Sequence, residues 1–535
     1  MEPANVLVVG AGPTGLTLAL QAHEHGARVR IIERRHEAFR PSRALILHPR
    51  TLEVLRPLGV TEALVERADI APEGHLHLGS RVIRARLAEF ALPDTAFPHL
   101  SLVRQMDVET VLAQALADRG IAVERGVELV DVRDGVTRVD ATLRSQSELE
   151  HGVYDYVAGC DGPQSLVRRI AGIGWFGGAY RQEVVLADME LDANLTRGVA
   201  HVVAGRRGLV FVFALGESAT WRLLATRPSG RDRLPFGQPG PGVTVSELQT
   251  ILDDAGLHAR ITRLEWSGRY RLQHRLAARM KQGRLFLVGD AAHAFSPAVG
   301  LGMNTGIQDA VNLGWKLAFA PMAADSQTLL ESYDLERRQA ACATLALTHA
   351  AFWFEASTNP LPALLRSVVA PLGAPVMPAM LRQRRLVAEG IRWISGLRMA
   401  YFGSPLSMDL APRLFARTRP GHRLPDASVT ADGRRVRLHA LLARPGAHVL
   451  LSRDANDLAC QTRDSCVTVH RLTSEPGSGL LAVRPDGYVG FRGGFADTER
   501  LGAWLAGIGA SRSQYHTQEP CIQARDYNAS RDGGS

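Results

Sequence analysis

Apolar positions in the first third of the chain come in short blocks punctuated by glycine. Asn5–Val9 (NVLVV) is a continuous apolar, β-branched run, the pattern of a strand buried on both faces. Glycines at 10, 12 and 15 interrupt it, and a helical pattern then runs from about Thr14 to His25, where Gly26 stops it. Arg28–Ile32 is a second strand ending at Glu33. Strand, helix and strand within about thirty residues make a β-α-β unit. Helices are predicted over Pro49–Leu58, ending near Gly59, and over Asp107–Arg119, where Val108, Val111, Leu112, Ala115 and Leu116 share one face. Ile121–Val123 begins another strand, and Tyr154–Gly159 forms one that leads into Cys160-Asp161-Gly162.

Between Tyr180 and Tyr270 the pattern becomes one of strands separated by turns (EVVLADMEL, GLVFVFAL, TWRLLAT), which predicts an inserted antiparallel sheet. The β-α pattern returns at Arg284: Leu285–Val288 reads as a buried strand, and a helix is expected over about Thr305–Ala320. Gln327 to about Ile394 is mostly helical, Leu414–Pro425 reads as a linker, and about 420–515 reads as a small α/β module before a polar tail.

Composition narrows this picture. With 535 residues the chain has room for two to four domains. Five scattered cysteines, with no C-x2-C pair, predict neither a disulfide framework nor a metal site and suit a reducing cytoplasm. The N-terminus has no basic leader, and the apolar stretch Leu361–Met380 is broken by Pro362, Pro371, Pro375 and Pro378, so neither a signal peptide nor a membrane span is expected. The net charge of +8 is almost all arginine, and Lys281 and Lys316 are the only lysines. The arginines are dispersed and no reader motif accompanies them, which argues against a nucleic-acid partner.

Three stretches carry candidate chemistry. In Gly10-Ala11-Gly12-Pro13-Thr14-Gly15, Gly10 permits a tight turn, Gly12 lets backbone approach a pyrophosphate, and Gly15 lets helix and strand pack closely. The helix N-terminus that follows favours phosphate. Glu33 lies eighteen residues after Gly15 at a strand end, where a carboxylate can accept ribose hydroxyls and would repel a 2′-phosphate. Asp161-Gly162, with Ser165 and Arg168, forms a second turn that reads equally as a helix cap. Gly289-Asp290 places a carboxylate at the end of a buried strand, where open α/β sheets bind ligands. The loop Gly300-Leu301-Gly302-Met303-Asn304 then leads into a helix whose N-terminus can face developing negative charge. His293 could serve as a base, but without an evident partner it reads as structural. Together these stretches suggest one long dinucleotide, FAD, across a single oxidoreductase site.

The three motifs, in this order, resemble those of the single-component FAD-dependent aromatic hydroxylases related to p-hydroxybenzoate hydroxylase. Pro41-Ser42-Arg43-Ala44, Leu47-His48-Pro49-Arg50-Thr51-Leu52-Glu53 and Val103-Arg104-Gln105 resemble the branch that oxidises polyketides, rifamycins, phenols and phenylpropionates. The resemblance implies an α/β fold: a Rossmann-like FAD-binding domain (1–175 and 277–355), an inserted antiparallel-sheet substrate domain (176–276), a helical segment and linker (356–419), a thioredoxin-like domain (420–515) and a tail (516–535). It implies that Gly10, Gly12, Pro13, Thr14 and Gly15 cradle the pyrophosphate and that Glu33 binds the adenosine ribose, with Arg34 beside the adenine. Arg43 and Gln105 would hold the ribityl–pyrophosphate region, Asp161 would serve FAD and NAD(P)H, and Asp290 would bind the ribityl or pyrophosphate end. Gly300, Gly302, Met303 and Asn304 would hold the flavin pyrimidine edge. Arg43 and Pro297 are assigned to the chemistry, which lies mainly on the flavin: NAD(P)H reduces it, O2 adds to give a C4a-hydroperoxide, and one oxygen passes to an aromatic or polyketide-like substrate. A monomer or homodimer is expected.

The chain departs from relatives at Trp175-Phe176-Gly177-Gly178 and at Ser296-Pro297, and Cys460 and Cys466 are too far apart for a redox pair. Baeyer–Villiger insertion, antibiotic inactivation and oxygen-independent reduction remain open. Phe211, Phe213, Trp221, Met189 and Arg222 are candidates for the substrate pocket, and strand alternation alone does not say which face each takes.

Overall fold

The computed structural model describes residues 4–510 except 38–45, 70–72, 79–80, 87–89, 147, 197, 206–207, 215–220, 231–235, 237–239, 357–358, 366–369, 374, 412–417, 432, 453–465 and 474–478. Arg43, Cys460 and the expected tail lie outside the described residues.

Asn5–Val9 sits inside a six-stranded sheet ordered Lys281–Gln282, Leu285–Leu287, Tyr156–Gly159, Asn5–Val9, Arg28–Glu33, Val123–Arg125. All pairs are parallel except the antiparallel edge strand Lys281–Gln282. Register aligns Val9 with both Gly159 and Ile32, and Gly159 with Leu287. The carboxyl ends of these strands are therefore level, and the three glycine-bearing motifs emerge side by side. The Pro13–Glu24 helix packs between the Gln105–Ala117 and Leu301–Phe319 helices.

Two helix boundaries differ from expectation. The predicted Pro49–Leu58 helix is α-helical only over Pro49–Leu55 and tightens into a 3-10 turn at Arg56–Leu58, because Pro57 has no N–H to donate. The helix expected from Thr305 begins at Leu301, so Gly302, Met303 and Asn304 form its first turn, not a loop. Low helix propensity at Gly302 and Asn304 suggested a loop, and tertiary hydrogen bonds override it.

The inserted strands form an eight-stranded sheet ordered His293–Ala294, Ala259–Ala277, Trp175–Ala193, Trp221–Pro228, Gly208–Ala214, Val199–Gly205, Glu73–Leu78, Arg81–Arg86. It is wider than the inserted segment, since Glu73–Arg86 and His293–Ala294 join it. One face, with Val185, Ala187, Met189, Trp221 and Leu223, packs under the Val245–Asp254 helix. Thr244 and Glu247 begin that helix with a reciprocal capping box. The other face carries Val184, Leu186, Leu224 and Tyr270, with Phe211 and Phe213 packed beside Ile46 and Leu102.

The C-terminal module is a mixed sheet ordered Met408–Asp409, Val489–Gly493, Leu480–Val483, Ala447–Leu451, Val467–Arg471, with the Thr498–Gly507 helix against it. It is not a separate bead. Ala447, Val449, Phe491 and Trp504 belong to the same continuous core as Trp315 and Phe319. A fully buried ionic cluster crosses this contact. Glu336 accepts from Arg484 at 2.6 and 2.8 Å, from Lys316 at 2.7 Å, from Asn312 at 2.8 Å and from Ser404 at 2.5 Å. Arg484 also reaches Asp486 at 3.1 and 2.5 Å. Burial pushes the Glu336 carboxyl up, but Arg484 and Lys316 outweigh it and hold it far below the usual range.

Breaking this cluster at Glu336 leaves the buried Lys316 without its hydrogen-bonded carboxylate and Arg484 with Asp486 alone. Glu336→Ala should cost about 3–5 kcal/mol, read as a fall in the urea midpoint. Glu150→Ala, at the solvent-exposed Arg30 pair, should change stability by less than about 1 kcal/mol. Equal effects would contradict the ranking.

Acid sensitivity follows from buried imidazoles. Burial holds His25, His48 and His448 at about 4. Unfolded, these residues titrate near about 6.5. Stability from neutral burial is thus fully present above that value. It is lost as pH falls from 6.5 toward 4, at up to about 1.4 kcal/mol per pH unit for each histidine. Urea midpoints between pH 7.5 and 5 should fall below pH 6.5, and a flat profile would contradict the assignment.

Candidate active site

The Gly10–Gly15 turn separates glycines required by the protein itself from one that leaves an opening. At Gly10 (φ +105°) a Cβ would stand 2.4 Å from the Cys160 carbonyl oxygen, and at Gly15 it would stand 1.9 Å from that of Gly10. At Gly12 a Cβ would meet nothing within 4 Å. Gly12 also begins the Pro13–Glu24 helix, whose first amides have no side-chain cap. Glu33 borders this opening: its Oε2 accepts from Ala11 N at 3.0 Å and its Oε1 from Arg35 N at 3.1 Å. Arg34 is exposed beside it. Gln105 donates to Glu109 at 2.8 Å. Burial pushes the Glu109 carboxyl up, with the Glu33 charge adding to the effect. Glu109, part of the Val108-Glu109 pair that follows the Val103-Arg104-Gln105 motif, is thus an acidic neighbour of Glu33.

Asp161 caps a helix as well as lining the strand end. Its Oδ2 accepts from Leu166 N at 2.7 Å and Val167 N at 3.2 Å, while Ser165 Oγ accepts from Arg168 N at 3.0 Å. Asp161 Oδ1 is buried with no hydrogen-bond partner, and burial raises the carboxyl pKa. Arg168 ties this turn to the next motif. It donates to the Ala291 carbonyl at 2.7 Å and to that of Pro163 at 2.8 Å, and lies 3.8 Å from the Trp175 ring centroid. Trp175 is thus a platform for Arg168.

Asp290 is exposed on the 3-10 turn Gly289–Ala291. His293, expected to lack a partner, has one: its Nε2 lies 2.5 Å from Asp309 Oδ2, with both side chains fully buried. Asp309 also accepts from Arg337 Nε at 2.6 Å and Gly289 N at 3.2 Å. The partner lies a helix away, so sequence adjacency did not reveal it.

The segment after Pro297 is unusual backbone. Val299 (φ +64°) and Gly300 (φ +66°) are both left-handed. For a β-branched residue this costs about 1–3 kcal/mol. Asn304 braces the turn: its Nδ2 donates to the Gly300 carbonyl at 2.8 Å and to that of Ile46 at 2.9 Å, and its Oδ1 accepts from His48 N at 2.9 Å and Thr51 Oγ1 at 2.7 Å. A Cβ at Gly302 would meet nothing within 4 Å, and Gly300 gives the helix no side-chain cap. Met303 packs on the main core.

Sheet register sorts the pocket candidates. Phe213 is opposite Arg222, and Arg222 is opposite Asp188, so these share a face with Phe211, two residues along from Phe213. Arg222 holds Asp188 at 2.7 Å through both Nε and Nη2. Trp221 and Met189 lie on the opposite face, in the core under the Val245–Asp254 helix, and do not line a pocket with Phe213. A cluster the sequence did not disclose lies at the far edge. Tyr180 Oη is 3.1 Å from His349 Nδ1, and the Tyr180 and His274 rings are 4.8 Å apart. Tyr180 packs beside Ala298, Val299 and Phe352, and burial pushes its phenol up to about 12.

These features fit a flavin dinucleotide. Gly12 and Gly302 front open space at two uncapped helix N-termini, and an unpaired buried carboxylate oxygen lies at the strand end between the outer two motifs. The described residues form no cluster able to hold a metal ion.

Comparison with known proteins agrees. A family model described as an FAD binding domain matches residues 3–348, and one described as the C-terminal region of aromatic-ring hydroxylases matches residues 417–508. The chain is 33% identical to 6-methylpretetramide 4-monooxygenase of Streptomyces rimosus, over 94% of this chain and 93% of that protein. It is 33% identical to a rifampicin monooxygenase of Streptomyces venezuelae, over 69% of this chain and 75% of that protein. The solved structure of OxyS anhydrotetracycline hydroxylase from Streptomyces rimosus superposes with a TM-score of 0.76 at 26% identity, covering 96% of this chain and all of that one. The parallel sheet, its three converging motifs and these matches place the chain in the family of FAD-dependent aromatic-ring hydroxylases.

Proposed function

We propose that this chain, an FAD- and NAD(P)H-dependent monooxygenase, places one oxygen atom from O2 on a flat, fused-ring aromatic or polyketide-like substrate. The observation that carries the substrate class is the apolar sheet face of Phe211, Phe213, Leu186 and Leu224, on which Phe211 and Phe213 pack beside Ile46 and Leu102. Bound FAD supplies hydride uptake from NAD(P)H and the activation of O2. The chain's own residues bind, orient and exclude water. Gly12, Pro13 and Thr14 give backbone to the pyrophosphate, and Glu33 accepts the adenosine ribose hydroxyls with Arg34 alongside. Gln105 and Glu109 shape that end, while Asp161 and Asp290 line the middle. Gly302, Met303 and Asn304 point first-turn amides at the ring, where the helix dipole stabilises negative charge. The sheet keeps water from the ring face, and Arg222 with Asp188 offers a polar contact to substrate oxygens. Tyr180, His274 and His349 are placed to exchange substrate protons with solvent. By the family resemblance, Arg43 and Pro297 would serve the chemistry.

The proposed division is a discontinuous FAD-binding domain, a substrate sheet enlarged by Glu73–Arg86, a helical segment and a thioredoxin-like module. Two features support that last reading: a parallel pair, Ala447–Leu451 with Val467–Arg471, and an antiparallel hairpin beside it. No helix among the described residues is long and apolar enough to cross a membrane. Scattered cysteines favour the cytoplasm, as a monomer or homodimer.

Two glycine variants separate cofactor contact from folding. In Gly12→Ala the new methyl meets no protein atom, so the protein should fold normally but purify with flavin content reduced about tenfold or more. Gly15→Ala should instead lose thermal stability. Flavin at wild-type stoichiometry in Gly12→Ala would remove Gly12 from the cofactor site.

The reaction itself is tested by oxygen consumption. With FAD, NAD(P)H and a polycyclic phenol, substrate should stimulate NAD(P)H oxidation and the product should carry one 18O from labelled O2. Absence of oxygen uptake above background across phenols and aromatic polyketides would overturn the substrate class and the oxygen donor together.

A further inference from the structure

We propose that His48 is the positioning residue that holds the left-handed turn at Val299–Gly300 in place, and through it aims the first-turn amides of the Leu301–Phe319 helix at the flavin ring. His48 lies in a different segment from the turn, 251 residues away from Val299. Its Nε2 is 3.0 Å from the Val299 carbonyl oxygen. A carbonyl only accepts, so Nε2 carries the hydrogen. Nδ1 is then left to accept from Ser395 Oγ at 3.3 Å. Both ring nitrogens are committed, and the side chain is buried.

The contact has a specific mechanical consequence. Val299 is held in a backbone region that β-branched residues avoid. Such a conformation persists only where surrounding groups over-determine it. Three groups do so here: the His48 imidazole on the Val299 carbonyl, Asn304 Nδ2 on the Gly300 carbonyl, and the Pro297 carbonyl accepting from Gly300 N at 3.0 Å. His48 N and Thr51 Oγ1 fix Asn304 in turn. His48 thus touches the turn twice, directly and through Asn304. If Val299 relaxes to negative φ, the chain enters the helix from another direction and the open space at Gly302 is re-aimed.

His48 itself touches none of the residues assigned to substrate, so its effect should appear in cofactor binding and flavin electronics. This inference rests on placing the ring end at Gly300–Asn304. Gly302→Ala tests that placement separately, since its methyl would meet only what lies in the open space.

The experiment measures FAD dissociation constants and flavin midpoint potentials for His48→Leu, His48→Gln, Val299→Gly and both double variants. His48→Leu should weaken FAD binding about tenfold or more and shift the potential to more negative values, because reduced flavin loses aligned amides. His48→Gln, whose amide can donate in the same direction, should stay within about threefold of wild type. Glycine tolerates positive φ, so in the Val299→Gly background the cost of His48→Leu should shrink to about threefold or less, a coupling read from the double-mutant cycle. If His48→Leu does not fold, the cycle of His48→Gln with Val299→Gly supplies the same coupling, and its absence counts against the inference. An effect of His48→Leu below about twofold with an unmoved potential, or an equal effect in both backgrounds, overturns the role of His48. If Gly302→Ala also leaves binding and potential unmoved, the ring placement has failed. If Gly302→Ala moves them while the His48 variants do not, only the His48 role has.

Discussion

Two adjacent charges on one helix, Glu336 and Arg337, tie the molecule together. Both are buried within the protein, where an unpaired charge is costly and a paired one must be held in good geometry. They face different partners. Glu336 gathers Arg484, Lys316, Asn312 and Ser404, and so fastens the C-terminal sheet to the two long helices. Arg337 gathers Asp309, the Tyr401 hydroxyl at 3.0 Å and the Thr305 carbonyl at 3.3 Å. Asp309 then holds His293 and Gly289 N. A series of buried polar contacts therefore runs from the terminal module to the Gly289-Asp290 turn. Through Arg484 the terminal module completes the charge balance around Glu336 and Lys316 on the two long helices.

Interior junctions of this kind use some of the chain's arginines. The arginines form no basic stripe, and many of the informative ones are interior: Arg50, Arg168, Arg222, Arg337, Arg423 and Arg484 are all buried. A guanidinium offers a planar fork that can satisfy a carboxylate and a carbonyl together, which suits it to interior junctions better than lysine. Arg423, for example, takes Glu53 through two nitrogens at 2.8 and 2.6 Å. Burial pushes the Glu53 carboxyl up, yet Arg423, His439 and Arg50 bring it down to about 2. The same helix that carries Glu53 carries Thr51, which braces Asn304. The short segment from His48 to Glu53 thus braces the Val299–Gly300 turn on one side and the terminal module on the other.

What could be read from the sequence was what backbone geometry dictates. Gly10, Gly12 and Gly15 announce a turn: a positive φ and a close contact exclude a Cβ at Gly10, a close contact alone excludes one at Gly15, and Gly12 leaves the opening. The parallel strands were legible as short apolar runs. Side-chain partnerships between distant segments were not. Nothing near His293 points to Asp309, nothing near Glu336 points to Arg484, and nothing in the Ala298-Val299-Gly300 triplet signals a left-handed valine. Sheet faces were legible only to parity: Trp221 and Arg222 are neighbours in sequence and opposites in space, and it takes the pairing of Arg222 with Phe213 and Asp188 to say which one meets the pocket side. The helix starts before the point its sequence predicts, because Gly302 and Asn304 look like loop residues. Asn304 belongs in the helix because its side chain bonds to other segments instead of to its own backbone alone.

The two ends of the candidate cofactor site are built on different physics. At the Gly12 end the fold is close-packed and the opening is set by missing Cβ atoms, so recognition there is a matter of backbone amides and one carboxylate. Such a site is rigid because the sheet register defines it. At the Gly302 end the opening depends on a strained turn braced by side chains from three segments. Strain held by hydrogen bonds can be released, whereas a sheet register cannot slip without turning every side chain over. The Gly12 end is therefore fixed by the fold, and the Gly302 end is where small changes in the surrounding side chains can alter the shape of the opening.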